Sequence, residues 1–511
     1  MSETVHTETE SKHDVSAELA ITPRADEWGV DSVLGPVETE LVAAYYDTDD
    51  LALARAGITL RRRVGGDDHG WHLKLPKTLR TRIELRRPLG RSLRVPRPFA
   101  ELLTATVRGK RLDAVATIRT HRTSYRLAHG DGTVLAEVAD DRVEGELRGS
   151  EVSVWREIEV ELVDGDDTLL ARLEKTLADL GATPSDAPSK LSRLLGDKIA
   201  VTAPERSETS GPTPGSAGAL LLDHLGEHRD ELVALDPLVR RDESRSVHKM
   251  RVATRRLRSA LATYRRLLDR SVTDPLRDEL KWLAGELGAV RDADVIGSRI
   301  EAQLDKQPRD VVIGPVRRRL GRTLGSDRND ARVRLLTALA SERYVKLLDA
   351  LDVVVAGNAL QGEQNAKPAR SIRTEVRREH RRWRRHVKRY RSLDDAGVAS
   401  AQIDLALHDV RKASKRVRYA ADSARPIAGK RAKRLADDMK RIQETLGEHQ
   451  DTVVTRSVIR RVAATAHDDG EDTFTWGRLH ADEQGRAIKS MRRSQRLIDD
   501  SWSTPRWLDS P

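Results

Sequence analysis

Through about the first two hundred residues, apolar and polar side chains alternate in short runs, which is the period of a β-strand. Glu8-Thr9-Glu10-Ser11-Lys12 opens the series and Glu157-Ile158-Glu159-Val160-Glu161 closes it. Each puts charges on one face; in the second, Ile158 and Val160 take the other. A helix is expected around Glu27–Val33, then strands over Glu38–Thr48, Ile58–Val64, Trp71–Pro76 and Thr81–Arg87. Gly65-Gly66-Asp67-Asp68 is a hairpin signal between two of them. A break at Pro96 and Pro98 precedes a short helix, Phe99–Val107, and three strands, Ala114–Thr123, Ser124–Ala128 and Val134–Arg142. Leu169–Leu180 has helical period and stops at Gly181, and a short helix begins at Ser189.

The pattern then changes. Thr202–Gly218 holds three Pro and three Gly among Ser, Thr and Glu and is expected to be a linker. From Ala219 to about Thr465 apolar positions recur every three to four residues, and the segment repeats itself. His248-Lys249-Met250-Arg251-Val252-Ala253-Thr254-Arg255-Arg256-Leu257-Arg258 matches His408-Asp409-Val410-Arg411-Lys412-Ala413-Ser414-Lys415-Arg416-Val417-Arg418 at an offset of 160, and Leu287-Gly288-Ala289-Val290-Arg291-Asp292 matches Leu446-Gly447-Glu448-His449-Gln450-Asp451 at 159. A polar loop, Gly357–Lys367, separates the copies. The predicted organisation is a strand-rich domain (3–200), a linker (201–217), a helical domain (218–465) and a partly disordered tail (466–511).

Composition narrows the chemistry. The 511 residues are too many for one core. Lys and Arg number 91 against 81 Asp and Glu, a net charge of +10, mild overall but locally concentrated, which points to anion sites. With no Cys, disulfides, Cys-ligated zinc and iron–sulfur centres are excluded. No apolar run reaches membrane-spanning length and no leader-type segment opens the chain, so a soluble, cytoplasmic protein is expected.

In the strand domain the ionic faces carry Glu8, Glu10, Glu157, Glu159 and Glu161 as acids and Lys12, Arg61, Arg63, Lys74, Arg82, Arg86, Arg119 and Lys190 as bases. The opposite faces carry Leu60, Leu73, Leu75, Ile83, Ile118, Ile158 and Val160. Any one such strand reads most simply as half of a solvated sheet. Taken together, segregated acid and base strands suggest a closed barrel with both sets in one lumen. Buried charges survive only when balanced. Clustered carboxylates suit a hard divalent cation, and clustered Arg and Lys suit phosphate. Both together describe a metal–polyphosphate site suited to phosphoanhydride hydrolysis.

These residues resemble the CYTH family, the triphosphate tunnel metalloenzymes. The resemblance rests on Glu8-x-Glu10-x-Lys12, Tyr45-Tyr46-Asp47-Thr48, Leu60-Arg61-Arg62-Arg63, Leu73-Lys74-Leu75, Glu157-Ile158-Glu159-Val160-Glu161 and Ser189-Lys190, and covers about residues 3–198. It implies an eight-stranded antiparallel tunnel with flanking helices. It further implies that Glu8, Glu10, Glu157 and Glu159 hold Mg²⁺ or Mn²⁺, joined by Asp141, which alternation with Glu137 favours over Asp140. Lys12, Arg61, Arg63, Lys74, Arg119 and Lys190, with Arg82 on the same face, are then the triphosphate ligands. Members hydrolyse inorganic or thiamine triphosphate, and some cyclise ATP. His13 departs from the pattern, which commonly has an aliphatic or aromatic residue there.

In the helical repeat, His248, Arg251, Arg255 and Arg258 form one stripe, with Met250, Ala253, Leu257, Leu261 and Tyr264 beside it. His408, Arg411, Lys415 and Arg418 repeat the stripe beside Val410, Ala413, Val417 and Ala420. An ordinary solvated face would be balanced by acids at i±4. Here Lys249–Arg266 contains seven bases and no acid, and Arg370–Arg391 eleven bases against Glu375 and Glu379. A polyanion is the expected counterweight. Single-strand nucleic-acid readers interleave aromatics, and at 3% aromatic content this chain favours phosphate alone. His224 and His228 are spaced i, i+4, but nothing adjacent in sequence completes a ligand set, and a helix-face role is the simpler reading.

This half resembles the CHAD domain over about residues 217–465, through the two His-headed runs and through Arg291-Asp292-Ala293-Asp294 and Glu448-His449-Gln450-Asp451. The resemblance implies two pseudo-repeated four-helix bundles around a basic channel that binds inorganic polyphosphate, with His248, Lys249, Arg251, Arg255, Arg258, His408, Arg411, Lys412, Lys415 and Arg418 as ligands. The copies are not equivalent: Val290 stands where the second has His449, and Gln450 where the first has Arg291.

The expectation is therefore an α+β multidomain triphosphatase, with Glu8, Glu10, Lys12, Glu157 and Glu159 as its catalytic set and inorganic triphosphate and polyphosphate as ligands, located in the cytoplasm or at polyphosphate granules. The alternative is a polyphosphate-binding protein without turnover; thiamine triphosphatase, adenylyl cyclase and nucleic-acid binding rank below it.

Overall fold

The alternating half of the chain resolves into one antiparallel sheet that closes on itself. In the computed structural model, which describes residues 4–77, 81–199, 212–361, 368–396 and 400–508, the chain divides into two compact units, 1–205 and 206–511. The strands of the first are β1 (Thr4–Asp14), β2 (Ser32–Asp47), β3 (Thr59–Val64), β4 (Gly70–Pro76), β5 (Thr81–Arg87), β6 (Asp113–Ala128), β7 (Val134–Leu147) and β8 (Val152–Leu162). Their order is β5-β4-β3-β2-β6-β7-β8-β1, and β1 closes the ring. Its residues Thr4–Thr9 pair with β5 and Glu10–Asp14 with β8. A two-residue strand, β9 (Thr183–Pro184), lies against the end of β1. Closure removes the exposed edges of an open sheet.

Helices clothe this tunnel from outside and fill one end from inside. Ile158 and Val160 of β8 point outward and are fully buried with Leu127, Val138 and the apolar stripe Leu170, Leu173, Leu177 of helix α1 (Asp167–Asp179). The Asp166 carboxylate caps that helix, accepting from the Leu169 amide at 2.9 Å. Helix α2 (Lys190–Leu195) starts at Ser189, which accepts from the Ser192 amide at 3.0 Å. It places Leu191 and Leu195 against the inward-facing Ala43, Tyr45, Ile118 and Val143.

Local boundaries differ from expectation for identifiable reasons. The helix expected over Glu27–Val33 is one turn, Ala25–Trp28, stopped by Gly29 in the left-handed region (φ 67°), and Val33 already belongs to β2. The two strands expected over 114–128 are one, because β6 pairs on both sides through Thr123 and Ser124, with β2 and β7. Two short helices, Arg97–Leu102 and Thr104–Val107, replace the single one.

The second unit is helical. Its first copy comprises α3 (Ala217–Arg240), α4 (Ser246–Thr263), α5 (Arg270–Leu304) and α6 (Val316–Leu339), followed by α7 (Glu342–Val355). The second comprises α8 (Pro368–Asp395), α9 (Ser400–Ser423), α10 (Arg425–Asp468) and α11 (Phe474–Asp500). Gly429 (φ 51°) breaks α10 near its start. The sequence repeat is also a packing repeat. Met250, Ala253 and Leu257 are buried in α4, and Val410, Ala413 and Val417 at the matching positions of α9.

The tail expected to be partly disordered is instead α11, the fourth helix of the second copy. Trp476 and Leu479 pack with Ile300, Leu304, Val316 and Leu320 of the first copy and with Ile459 and Val462 of α10. Much of the rest of its buried face is small or polar: Ala487, Ser490 and Ser494. Close helix packing therefore holds a stretch whose apolar content is low. The expected linker and the Gly357–Lys367 loop lie for the most part outside the described residues.

Candidate functional site

Because side chains alternate along each strand, the register around the ring decides which charges meet in the lumen. Across β6–β7–β8, Arg122 faces Asp141 and Asp141 faces Glu157. Across β8–β1, Glu159 faces Lys12 and Glu161 faces Glu10. The result is two charge clusters in one tunnel.

The first cluster is built on Lys190, at the N-terminus of α2. Its ammonium lies 2.8 Å from carboxylate oxygens of Asp141, Glu157 and Glu159. Asp141 is fully buried and Lys190 is 8% exposed. Arg122 donates to Asp141 at 2.7 and 2.8 Å and to Glu159 at 2.8 Å. Lys12 is ion-paired with Glu159 and lies 3.0 Å from Glu10. Trp155 Nε1 donates to Glu157 at 2.6 Å. Burial alone would favour the neutral acids. Lys12, Lys190 and Arg122 outweigh it and hold Glu159 well below the usual carboxylate range. Burial of Asp141 is likewise overcome by Lys190 and Arg122. The carboxylates in turn raise the ammonium groups against the cost of their burial, Asp141, Glu159 and Glu157 acting on Lys190 and Glu159 and Glu10 on Lys12.

The second cluster lies along β1, β3, β4 and β5. Lys74 donates to Glu8 at 2.5 Å and lies 3.8 Å from Glu84, which is fully buried. Arg86 pairs with Glu84 and lies 3.5 Å from Glu8. Arg61 is 3.9 Å from Glu84 and donates to the Tyr45 hydroxyl at 3.4 Å. His72 Nδ1 is 2.8 Å from Glu84, and burial pushes its ring down to about 3, so it is neutral there. Arg63 pairs with Asp68. Arg82 donates to the Pro188 carbonyl at 2.5 Å. Burial and the neighbouring Glu8 push Glu161 up to about 7.

Of the predicted acids, Asp141, Glu157 and Glu159 converge: one oxygen of each lies within 4.8 Å of the others. Three carboxylates already sharing one ammonium form an all-oxygen, anionic donor set, which fits a hard divalent cation. Glu8 and Glu10 also line the lumen but are engaged by Lys74 and Lys12. Asp140, the other candidate, points outward and pairs with Arg156 at 2.6 Å. Arg119 is the clear correction. It is exposed on the outer face of β6, and Arg122 is the inward guanidinium. Ile118, expected on the outer face, points inward among the apolar residues at the filled end. Glu84, His72 and Arg122 are lumen residues not singled out from the sequence. Inward parity on β4 and β5, counted from Lys74 and Arg86, was the available signal for His72 and Glu84; on β6 the parity counted from Arg119 pointed to the opposite face, so Arg122 had none.

In the helical unit the stripes of the two copies meet. Lys415 on α9 is surrounded by Arg411, Arg255 and Arg251; with burial they push its ammonium down to about 7. Asp292 and Asp451, the acids of the second repeated motif, face Arg411. Arg255 Nε donates to the Tyr419 hydroxyl at 2.6 Å, joining α4 to α9. His248 sits beside Arg291, Arg255 and Arg251; burial, reinforced by those cations, lowers its ring. His408 is lowered by burial and by Lys412 and Arg411. Arg258 stands apart, next to Arg277 and Asp278. Arg418 is 3.2 Å from Gln443, while Lys249 and Lys412 are exposed on the flanks.

Sequence reasoning passed over the repeated Leu-Gly pair. A Cβ at Gly447 would stand 3.1 Å from Arg411 Nη2, and one at Gly288 3.6 Å from Arg251 Nε. The glycines leave room for the two equivalent guanidinium groups.

A closed antiparallel tunnel lined with acids and bases, followed by a duplicated basic helical unit, defines the class. The CYTH domain family model matches residues 6–195 and the CHAD domain model residues 223–460. Two uncharacterized proteins of Mycobacterium tuberculosis, MT2285 (strain CDC 1551 / Oshkosh) and Rv2226 (strain ATCC 25618 / H37Rv), are each 37% identical over 518 residues, 97% of this chain and 96% of theirs. The chain belongs to the proteins in which a CYTH domain is followed by a CHAD domain. Among solved structures, PptA from Streptomyces chartreusis is 19% identical (TM-score 0.46), covering 56% of this chain and 99% of its own. The CHAD domain from the plant Ricinus communis is 22% identical (TM-score 0.43), covering 59% and 94%. CYTH family members are triphosphate tunnel metalloenzymes, and among the described residues no helix is long and apolar enough to cross a membrane.

Proposed function

We propose that the tunnel unit hydrolyses inorganic triphosphate and short linear polyphosphate, and that the basic helical unit binds longer inorganic polyphosphate. The observation that carries the reading is the carboxylate triad Asp141, Glu157 and Glu159 set among Lys190, Lys12 and Arg122 in one enclosed lumen. Mg²⁺ or Mn²⁺ held by that triad would neutralise phosphate oxygens and activate water. The protein's own part is to bind and orient. Arg122 and Lys12 flank the triad and present donors to a phosphate chain, Lys74, Arg61 and Arg86 extend that surface along the lumen, and Tyr45, Ile118 and Leu191 exclude water from the filled end. In the helical unit, Arg251, Arg255, Arg411 and Lys415 repel one another until a polyanion relieves them, which favours phosphate chains.

One observation favours a second reading, binding without turnover: the Lys190 ammonium already lies 2.8 Å from all three triad carboxylates, where a metal would sit. Phosphate release from inorganic triphosphate by the full chain, with Mg²⁺ or Mn²⁺ and with a Glu157→Ala/Glu159→Ala control, separates the two. Metal-dependent release lost in the control supports hydrolysis. Retention of labelled polyphosphate with no release from triphosphate leaves binding alone.

A further inference from the structure

Away from both charge networks, α3 carries a group that neither reading uses. His224, Glu227 and His228 stand at positions i, i+3 and i+4 and so share one face of the helix. One ligand atom of each lies within 4.8 Å of the others. The imidazole centroids are 4.5 Å apart with ring planes at 81°. His228 is 2% exposed, and its Nδ1 is 3.2 Å from Glu231 Oε2. A carboxylate can only accept, so a neutral His228 donates from Nδ1 and keeps the lone pair on Nε2. A carboxylate that orients a histidine through its second nitrogen is how metal-bound imidazoles are held. Glu227, the third donor, is exposed and free to swing toward the rings.

We propose that His224, Glu227 and His228 form a binding site for a borderline divalent transition ion of the Zn²⁺ class. Two imidazoles and one carboxylate select such ions over Mg²⁺ or Ca²⁺, which prefer all-oxygen shells. Three protein donors leave a fourth tetrahedral position for water. The surrounding charge permits a cation. Glu227 and Glu231 on α3 and Asp422 on α9 face the pair, against Arg256 on α4, whose Nη1 is 3.9 Å from Glu231. The chain would then carry two ion sites of different chemistry, one of carboxylates in the tunnel and one of imidazoles in the helical unit.

Cu²⁺ is the spectroscopic probe that tells them apart. One equivalent added to the full chain should give an electron paramagnetic resonance spectrum with superhyperfine coupling to two nitrogens. That signal should persist in Glu157→Ala/Glu159→Ala and disappear in His224→Ala, a change at a half-buried position that leaves His228 in place. Zn²⁺ affinity, measured against a chromophoric chelator, should fall at least about tenfold in His224→Ala and in Glu227→Gln, with the helical circular dichroism unchanged. A spectrum without nitrogen coupling, or one that survives His224→Ala, overturns the site.

Discussion

Replacing Lys190 by Met removes the ammonium that lies 2.8 Å from Asp141, Glu157 and Glu159 and keeps a side chain of similar reach. Breaking a buried ion pair from one side costs about 3–5 kcal/mol, because the remaining charge is left uncompensated. Here Arg122 still holds Asp141 and Glu159, and Lys12 still holds Glu159. Glu157 keeps only the Trp155 indole among the partners described above, so the lower end, about 3 kcal/mol, is expected. For a unit of this size that lowers the midpoint of its thermal transition by roughly 6–12 °C. Mn²⁺ should return most of the loss, since saturating a site at a hundred times its Kd contributes about 2.7 kcal/mol. In wild type the metal must displace Lys190, so its stabilisation should be smaller. Differential scanning calorimetry of the full chain measures both, and the helical unit's transition is the internal control. A metal-free Lys190→Met midpoint within about 2 °C of wild type, or equal Mn²⁺ shifts in the two proteins, would refute the reasoning.

Three further outcomes follow from named contacts. Arg122→Ala should lower kcat/KM for triphosphate by about 10²–10³, the usual cost of one preorganised donor, while Arg119→Ala stays within about twofold of wild type; steady-state phosphate release compares them. Lys415, held at about 7 by burial and by Arg411, Arg255 and Arg251, binds fewer protons folded than unfolded between pH 7 and the ordinary lysine range. Stability of the helical unit should therefore rise with pH across that window. Polyphosphate affinity should fall over the same window, with proton uptake on binding at pH 8 by calorimetry in buffers of different ionisation enthalpy. Lys415→Met should flatten both. Gly447→Ala brings a methyl to 3.1 Å from Arg411, whereas Gly288→Ala meets Arg251 at an ordinary 3.6 Å. Filter binding should show weaker polyphosphate retention for the first and little change for the second, and both should keep or gain up to about 1 kcal/mol of helix stability.

Strand alternation made the tunnel legible, because a closed barrel obliges one face of every strand to look inward. That is why Glu157, Glu159, Lys12 and Lys74 could be placed from the sequence and why Asp141 was preferred over Asp140. The rule failed on β6, where equating apolar with outward was wrong. The lumen changes along its axis, with Ile118 inward at the filled end and Arg122 inward where the charges begin. A face can be apolar and lumenal at once, and no single-strand pattern shows that. The repeat was equally legible, but α11 was missed because, beyond Trp476 and Leu479, much of its buried face is Ala487, Ser490 and Ser494 rather than a continuous leucine stripe. A second copy built on four helices needed that fourth helix, and the repeat itself was the stronger signal. Glycines 288 and 447 were visible in the aligned copies, yet the reason for them is the guanidinium lying over each, a contact only the folded repeat displays.

The central claim is that the tunnel's acids and bases surround a metal-bound phosphate chain. It is tested most directly by titrating Mn²⁺ into the full chain with inorganic triphosphate and following orthophosphate release. The account predicts release that saturates with Mn²⁺ and is abolished by Glu159→Gln in a protein that still folds. Release that ignores both the metal and that substitution, or none with any divalent ion, would contradict it.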